Sequence, residues 1–371
     1  MDKKVVVINI GSRSKKYAYF TNGEIVANLE LEGLAEDSFD KFLEQVDDLK
    51  GGNLNDVVIG IRIVAPGKIF TEHREIDNEY LEKLKKAGKI APLHIEPVVI
   101  EIEYIKNKYS NVKIFAASDS AFHKSIPEYA KIYAIPKKLR EEYEIERQGY
   151  HGLSLSSAVF RLQKELGTVP EKMIICHLGG GSSITALLDG ISVDTSMGWT
   201  PLEGVPMAER SGTMDPGVIA FISEKMNLSG QGLGKFLSAE CGLEALSEID
   251  KGDIRALLET EENDSEAGKK AKLALDVYIY SIKKEIGKMA AILNGCDTLA
   301  LTGAISEKNH KMRERIVKNL EYLGISLNLE KNQSVGEVQN LELLGLDNDR
   351  LVIVVPADET NEIYKIVSNV G

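Results

Sequence analysis

Between Ile174 and Gly217 the chain reads IICHLGGGSSITALLDGISVDTSMGWTPLEGVPMAERSGTMDPG, and the residues best suited to handling an anion gather there. An apolar run from Met173 to Cys176 meets His177 and Leu178. The glycines Gly179, Gly180 and Gly181 follow, then a serine pair and a second apolar run that closes at Asp189-Gly190. This pattern predicts a strand, a tight turn and a returning strand. Glycines at such a turn let backbone N–H groups come close to an anion, and a run of those groups forms an anion-binding nest. Pro201 and Arg210 come later, in segments dense in Gly and Pro but poor in charge. A loop of that kind is costly to order unless it binds something.

A glycine turn alone is more often an ordinary hairpin. Here it has a second copy. Residues 7–23 read VINIGSRSKKYAYFTNG and residues 175–190 read ICHLGGGSSITALLDG. In each, an apolar strand ends in a polar residue (Asn9, His177), then a Gly- or Ser-rich turn, an alternating strand and a Gly-terminated turn. Asn9 falls on His177, Gly11 on Gly179 and Ser14 on Ser182. Two phosphate-style hairpins, one in each half, predict a duplicated domain whose copies face a shared cleft.

The elements that must position these groups follow from periodicity. Lys4–Ile10, Lys16–Phe20 and Glu24–Leu31 read as strands, Asp37–Leu49 as a helix and Asp56–Ile63 as a buried strand that carries Arg62 in VVIGIRIV. Arg62 is either an edge arginine reaching water along its aliphatic stem or an anion ligand at the carboxyl end of a strand; both readings stand at this point. A helix follows over Asn78–Ala87, and another runs from Ala91 to Tyr109 despite Pro97. A strand over Val112–Ala116 leads into Ser118-Asp119-Ser120, where Asp119 is a turn or capping residue or a functional one. Pro127–Pro136 reads as loop and Lys137–Tyr143 as a short helix. His151, between Tyr150 and Gly152, precedes a helix over Ser154–Leu166. Asp215-Pro216 opens a helix, with Asp215 as its cap. The stripe Leu275, Ile279, Ile282, Ile286, Met289, Leu293 predicts a long amphipathic helix over Ser265–Leu293, ended by Gly295. Strands over Thr298–Leu301 and Leu351–Val355, helices over His310–Leu323 and from the Pro356–Glu359 segment to Val370 complete the pattern.

Composition bounds the class. The 371 residues suffice for two domains with good cores, and 43% apolar with 27% charged residues is the make-up of a soluble globular protein. A net charge of −12 argues against a nucleic-acid partner, and it requires a locally positive cleft if the substrate is anionic. Cys176, Cys241 and Cys296 are too scattered for a disulfide framework or a zinc site. No apolar run reaches the ~18 residues that span a membrane. With too short an apolar N-terminal segment for a signal peptide, the expected location is the cytoplasm.

These motifs carry a resemblance. NIGSRSKK (from Asn9), SDSAFHKSIPE (Ser118), YAIP (Tyr133), RQGYHG (Arg147), HLGGGSS (His177), VDTSMGWTPLEG (Val193), ERSGTMDPG (Glu209), DIR (Asp253), TGAISE (Thr302) and PADE (Pro356) resemble the acetate kinase family over almost the whole chain. That family belongs to the sugar kinase, Hsp70 and actin group of nucleotide-binding folds. The resemblance implies an α/β fold of two duplicated actin-like (ribonuclease H-like) domains around a nucleotide cleft. The implied division is 1–148, joined by the helix 357–371, on the acyl-substrate side, and 149–356 for nucleotide binding and dimerisation. It also implies reversible, Mg-ATP-dependent phosphorylation of acetate to acetyl phosphate by direct in-line transfer.

Role by role, the resemblance places His151 and Arg210 on the transferring phosphoryl group, Arg62 on the substrate carboxylate, and Asp119 as the aspartate that orients the arginines. Val64, Leu93, Tyr150 and Pro201 would line the acyl pocket. Ser12, Lys16, His177, Leu178, Gly179, Gly180, Gly181, Asp253, Ile254, Arg255, Gly303, Ala304, Ile305, Ser306 and Glu307 would meet ATP or ADP. Asn9 and Glu359 would serve Mg²⁺, and the partner would be a second copy in a homodimer. The chain departs from the family at Arg13, Lys15, Ile61, Ala65-Pro66, Leu155, Gly180, Tyr150 and the AISEK segment, positions that bear on acyl-chain and nucleotide preference. The alternatives are a propionate, butyrate or other short-chain carboxylate kinase, or a catalytically silent nucleotide-binding regulator of the same fold. Retention of Asn9, Arg62, Asp119, His151, Arg210 and Glu359 together argues against the regulator.

Overall fold

The computed structural model describes residues 3–11, 14–33, 37–54, 56–109, 112–346 and 350–370, apart from the side chains of residues 93 and 370. Ser12 and the Leu93 side chain, both expected at the site, therefore lie outside the described residues. The chain divides into two compact units, Met1–Lys124 with Asp358–Gly371, and Ser125–Ala357.

In the first unit β1 (Lys4–Ile10) is buried almost throughout, as a central strand covered on both faces must be. It pairs antiparallel with β2 (Ser14–Thr21), which pairs antiparallel with β3 (Glu24–Glu32). On its other side β1 pairs parallel with β4 (Val57–Ile63). Next come β5 (Arg74–Glu75) and β6 (Lys113–Ser118), giving the order β3-β2-β1-β4-β6-β5. One sheet face packs on Phe39, Phe42, Tyr80, Ile102 and Ile105 from three helices. The other receives the closing helix Glu359–Val370, whose Tyr364 stacks on Phe20 with ring centroids 4.5 Å apart. The helix expected over Asp37–Leu49 is two pieces, an α-helical Ser38–Leu43 and a 3₁₀ segment Asp47–Gly52.

The second unit repeats the pattern. Its strands are β7 (Lys172–Leu178), β8 (Ser182–Leu188), β9 (Ile191–Thr195), β10 (Thr298–Thr302), β11 (Glu342–Leu343) and β12 (Leu351–Val354). Their order, β9-β8-β7-β10-β12-β11, matches the first sheet strand for strand, with the same parallel and antiparallel pairings. Even the register shift between second and third strands recurs, at Tyr19/Phe20 and at Ala186/Leu187. The duplication expected from two hairpins is thus a duplication of whole sheets. β9 had no signature of its own, being short and half-exposed.

The two turns differ by one residue. Gly11 N–H donates to the Ser14 carbonyl at 2.9 Å, whereas Gly179 N–H donates to the Gly181 carbonyl at 2.9 Å. Ser14 therefore corresponds to Gly181 rather than to Ser182, and Lys15 and Lys16 correspond to Ser182 and Ser183.

The helix Glu266–Leu293 covers the second sheet with the predicted stripe, every member of which is buried. Ser265 Oγ accepts from Gly268 N–H at 3.1 Å to start it. Asn294, not Gly295, makes the left-handed turn that stops it, at φ 51°. The domain boundary differs from the expected residue 148 because 125–148 is bonded into the second unit. Ser125 Oγ donates to the Ser192 carbonyl at 2.8 Å, and Arg147 Nη1 donates to the carbonyls of Thr195 (2.9 Å) and Met197 (3.1 Å).

Gly60, in mid-β4, marks a close approach of the closing helix, for an added Cβ would lie 2.6 Å from Val367 Cγ2 and 2.8 Å from Ile363 Cγ2. Gly60→Ala is expected to lower stability by about 1–3 kcal/mol through overpacking. Thermal and urea denaturation measure this, and an unchanged midpoint would mean that the helix can shift without cost.

Candidate active site

In the first unit the parallel strands bring four groups to one end of the sheet. Arg62 lies next to the end of β4 and Asp119 just past the end of β6, with Asp119 N–H donating to the Ile63 carbonyl at 3.0 Å. Asn9 comes from β1 and Glu359 from the first turn of the closing helix, where the helix dipole favours a carboxylate. Arg62 Nη2 donates to Asp119 Oδ2 at 2.7 Å and Nη1 to Glu359 Oε2 at 2.8 Å. Nη1 also reaches Asn9 Oδ1 at 3.3 Å, and Asn9 Nδ2 donates to Glu359 Oε2 at 2.8 Å. Burial opposes the guanidinium's charge, but the Asp119 and Glu359 carboxylates outweigh it and hold Arg62 more firmly protonated than usual. Of the two readings of Arg62, the edge arginine reaching water is excluded, because its side chain is only 13% exposed.

Two carboxylates against one guanidinium leave negative charge uncompensated. Together with the Asn9 amide oxygen they form a hard oxygen-donor set, which suits a cation such as Mg²⁺ that keeps several waters and substrate oxygens. The two expected metal residues, Asn9 and Glu359, thus fit the group. Among the described residues no cluster of three or more His, Cys, Asp or Glu forms a complete cage. Val64, two residues beyond Arg62, is half-buried. Lys16 lies directly opposite Asn9 across β1 and β2, and its ammonium sits 3.1 Å from Glu30.

In the second unit the glycine turn, two histidines and an arginine converge. His151 has φ 62°, in the left-handed region that a non-glycine residue adopts at a cost, immediately before the helix Gly152–Leu166. Its ring stacks on His177 with centroids 4.1 Å apart. His151 Nδ1 is 3.0 Å from Ser183 Oγ and His177 Nδ1 is 2.8 Å from Ser154 Oγ, so two buried hydroxyls hold the rings. A Cβ added at Gly181 would lie 2.8 Å from His151 Nε2 and 3.5 Å from Arg210 Nη1. Only glycine lets the turn's backbone approach both groups. Arg210 Nη1 donates to the Pro201 carbonyl at 3.3 Å.

Several expected ligands are engaged in holding the fold. The Tyr150 hydroxyl, expected beside the acyl group, donates to the Trp199 carbonyl at 2.5 Å, and its ring is buried. Leu178 and Ile254 belong to the hydrophobic core. Asp253 caps the helix Ile254–Thr260 by accepting from Arg255 and Ala256 N–H at 3.0 Å each; the Arg255 side chain is exposed. Gly303, at φ 87°, abuts the Leu178 backbone. Glu307, in the short helix Ala304–Lys308, has its Oε1 accepting from Gly303 N–H at 2.8 Å and Ala357 N–H at 3.0 Å, so its carboxylate holds the start of that helix. Ser306 is buried, Ile305 packs partly against the core, and Ala304 is exposed.

Sequence reasoning missed the supporting groups. Ser154, in the first turn of the helix that follows His151, orients His177, and Ser183 orients His151. Arg147 braces the 195–203 loop, with Nη2 donating to Glu203 Oε1 at 2.8 Å while the Tyr133 hydroxyl donates to Glu203 Oε2. Arg313, fully buried, donates to the Ser306 carbonyl at 2.8 Å and the Val335 carbonyl at 2.8 Å, anchoring the short helix Ala304–Lys308.

Comparison with known proteins gives a consistent family. The sequence description of the acetokinase family matches residues 32–365. An acetate kinase of Desulfitobacterium hafniense is 38% identical over 81% of this chain and 74% of its own. One from Thermoanaerobacter pseudethanolicus is 36% identical over 99% of this chain and 98% of its own. The crystal structure of a propionate kinase from Francisella tularensis superposes with a TM-score of 0.87 and 28% identity, covering 99% of each chain. With matching motifs, matching duplicated sheets and identity of this extent, the chain belongs to the acetokinase family.

Proposed function

We propose that the protein transfers the γ-phosphoryl group of ATP to acetate, reversibly, forming acetyl phosphate and ADP. One carboxylate oxygen attacks the γ-phosphorus in line, the new O–P bond forms as the β–γ bridging bond breaks, and ADP leaves with the bridging oxygen. No base is required, because a carboxylic acid with a pKa of about 4 is already ionised at neutral pH. The chemistry needs charge neutralisation over three phosphoryl oxygens more than covalent help.

The observation that carries this reading is the convergence of His151 Nε2 and Arg210 Nη1 on Gly181. Two side-chain donors and a glycine-turn backbone there suit a trigonal, anionic phosphoryl group. Arg62, kept protonated and oriented by Asp119, offers the planar fork that a carboxylate accepts. Val64, Leu93, Tyr150 and Pro201 are assigned to the acyl group, with Tyr150 bracing the loop through Trp199. Lys16, Ser12, the His177–Gly181 turn, Asp253 to Arg255 and the Gly303–Glu307 segment are assigned to the nucleotide. Asn9 and Glu359 would hold Mg²⁺, with Asp119 beside them; the ion, when bound, screens the phosphate charge.

A homodimer formed through the second unit is part of the reading. The helix Pro216–Lys225 has no buried residue although it reads PGVIAFISEK, and Val218 and Phe221 are 46% and 60% exposed. A cytoplasmic location accords with three free cysteines. Among the described residues, no helix is long and apolar enough to cross a membrane.

Purified protein, Mg²⁺ and ATP, GTP or pyrophosphate, presented with acetate, propionate and butyrate and read by hydroxamate trapping, should give the highest kcat/KM with acetate and ATP. A preference for propionate or butyrate would move the substrate to the longer acid. ATP binding with no acyl phosphate from any acid would return the regulator. Arg210→Ala should leave the melting temperature unchanged while lowering kcat on the order of 10³-fold, as for an arginine acting on the transition state; a near-normal rate would remove Arg210 from the mechanism. In light scattering after size exclusion, the parent should run at twice the chain mass and Phe221→Lys at the chain mass. A monomeric parent, or an intact Phe221→Lys dimer, would put the interface elsewhere.

A further inference from the structure

The first hairpin carries two adjacent lysines with opposite fates. Lys15 is buried with Glu101 of the helix Pro92–Lys108, the two side chains 1% exposed each and Nζ 2.5 Å from Oε2. The Tyr17 hydroxyl donates to the other carboxylate oxygen at 2.8 Å. Lys16 is 50% exposed and faces the same way as Asn9.

The apolar pattern of β2 does not choose between these two arrangements. Its sequence is SKKYAYFT, and helices cover both of its faces. Tyr17 stacks on Phe42 at 5.3 Å on one side, and Phe20 stacks on Tyr364 at 4.5 Å on the other. A slip of one residue would exchange the set 15, 17, 19 for the set 16, 18, 20, both aromatic-bearing. A buried ion pair is weak evidence for stability, since an apolar pair of similar volume often serves as well; its best-attested use is to specify register.

The second unit shows the same division of labour. Ser182, the counterpart of Lys15, lies 2.8 Å from the hydroxyl of Tyr278 on the helix packed against that sheet. Ser183, the counterpart of Lys16, touches His151. In each hairpin the first residue after the turn is tied inward by a polar bond, and the next one faces the site.

We propose that Glu101 is a positioning residue. By pairing with Lys15 it locks the register of the first hairpin and delivers Lys16 to the Asn9 face. The consequence for catalysis rests on the assignment of Lys16 to the triphosphate made above; the lock itself does not.

The test uses the full chain. In Lys16→Cys, a water-soluble maleimide should label residue 16 readily, scored by peptide mass spectrometry. Adding Glu101→Leu should slow that labelling about tenfold, because the freed Lys15 turns outward and residue 16 inward. Adding Lys15→Leu as well should restore it, since an apolar residue again takes the inward place. With Lys16 present, Glu101→Leu should raise KM for ATP about tenfold at nearly unchanged kcat, and Lys15→Leu/Glu101→Leu should reverse the rise. Lys16→Ala should raise KM in the parent but add less than about twofold on top of Glu101→Leu, the non-additivity expected of groups acting as one unit. Should Glu101→Leu not fold, Glu101→Gln, which keeps the shape and removes the charge, should show the same ordering with smaller changes.

Equal labelling with and without Glu101, or a raised KM that persists in Lys15→Leu/Glu101→Leu, overturns the lock. Slowed labelling with a normal KM in Lys16→Ala sustains the lock and overturns the use of Lys16 on the triphosphate.

Discussion

The first unit depends on one buried guanidinium. Arg62 binds Asp119 and Glu359 at once, and so ties β4, the end of β6 and the closing helix to one point. Removing the arginine would leave two carboxylates facing each other with no cation between them. The same cluster is useful because it is not neutral. One cation against two carboxylates keeps a deficit of positive charge, which suits a divalent ion, while the guanidinium fork stays charged over the whole physiological pH range. Scaffold and site are the same atoms.

The second unit solves a related problem with fewer charges. Its turn is one residue shorter than the first, and glycine at 181 lets His151 and Arg210 close on the backbone. The strained backbone at His151 is held by the helix it precedes, by the ring of His177 and by Ser183. That fixes a donor geometry in advance, so little reorganisation is needed when an anion arrives. The duplicated sheets thus carry diverged ends: an ionic knot in one copy, a stacked histidine pair in the other.

Much of this was legible from neighbours along the chain. The hairpins, the capping residue Asp215, the stripe of the long helix and the pairing of two glycine turns are local signals, set by backbone preference and periodicity. They conveyed the duplication before any packing was known. What stayed hidden is where a polar group's partner is remote. The Tyr150 hydroxyl, in a motif that points to the acyl pocket, bonds to a carbonyl 49 residues away. The Glu307 carboxylate, in a segment that points to the nucleotide, is bonded to the backbone of a residue 50 positions on. The turn lengths were equated because both copies contain Gly and Ser, and only the strand register shows the missing residue.

The sequence by itself determined most of the strands and helices, the repeat, the family and the candidate residues for phosphoryl transfer, because these are written in residue types and short spacings. Tertiary structure alone decided which of two adjacent lysines is buried, which carboxylates Arg62 serves, and that two histidines stack. Those outcomes rest on contacts such as Lys15 with Glu101, 86 residues apart, and Asn9 with Glu359, 350 apart. A buried polar group must find a partner wherever the packed chain supplies one, and no local rule says where that will be.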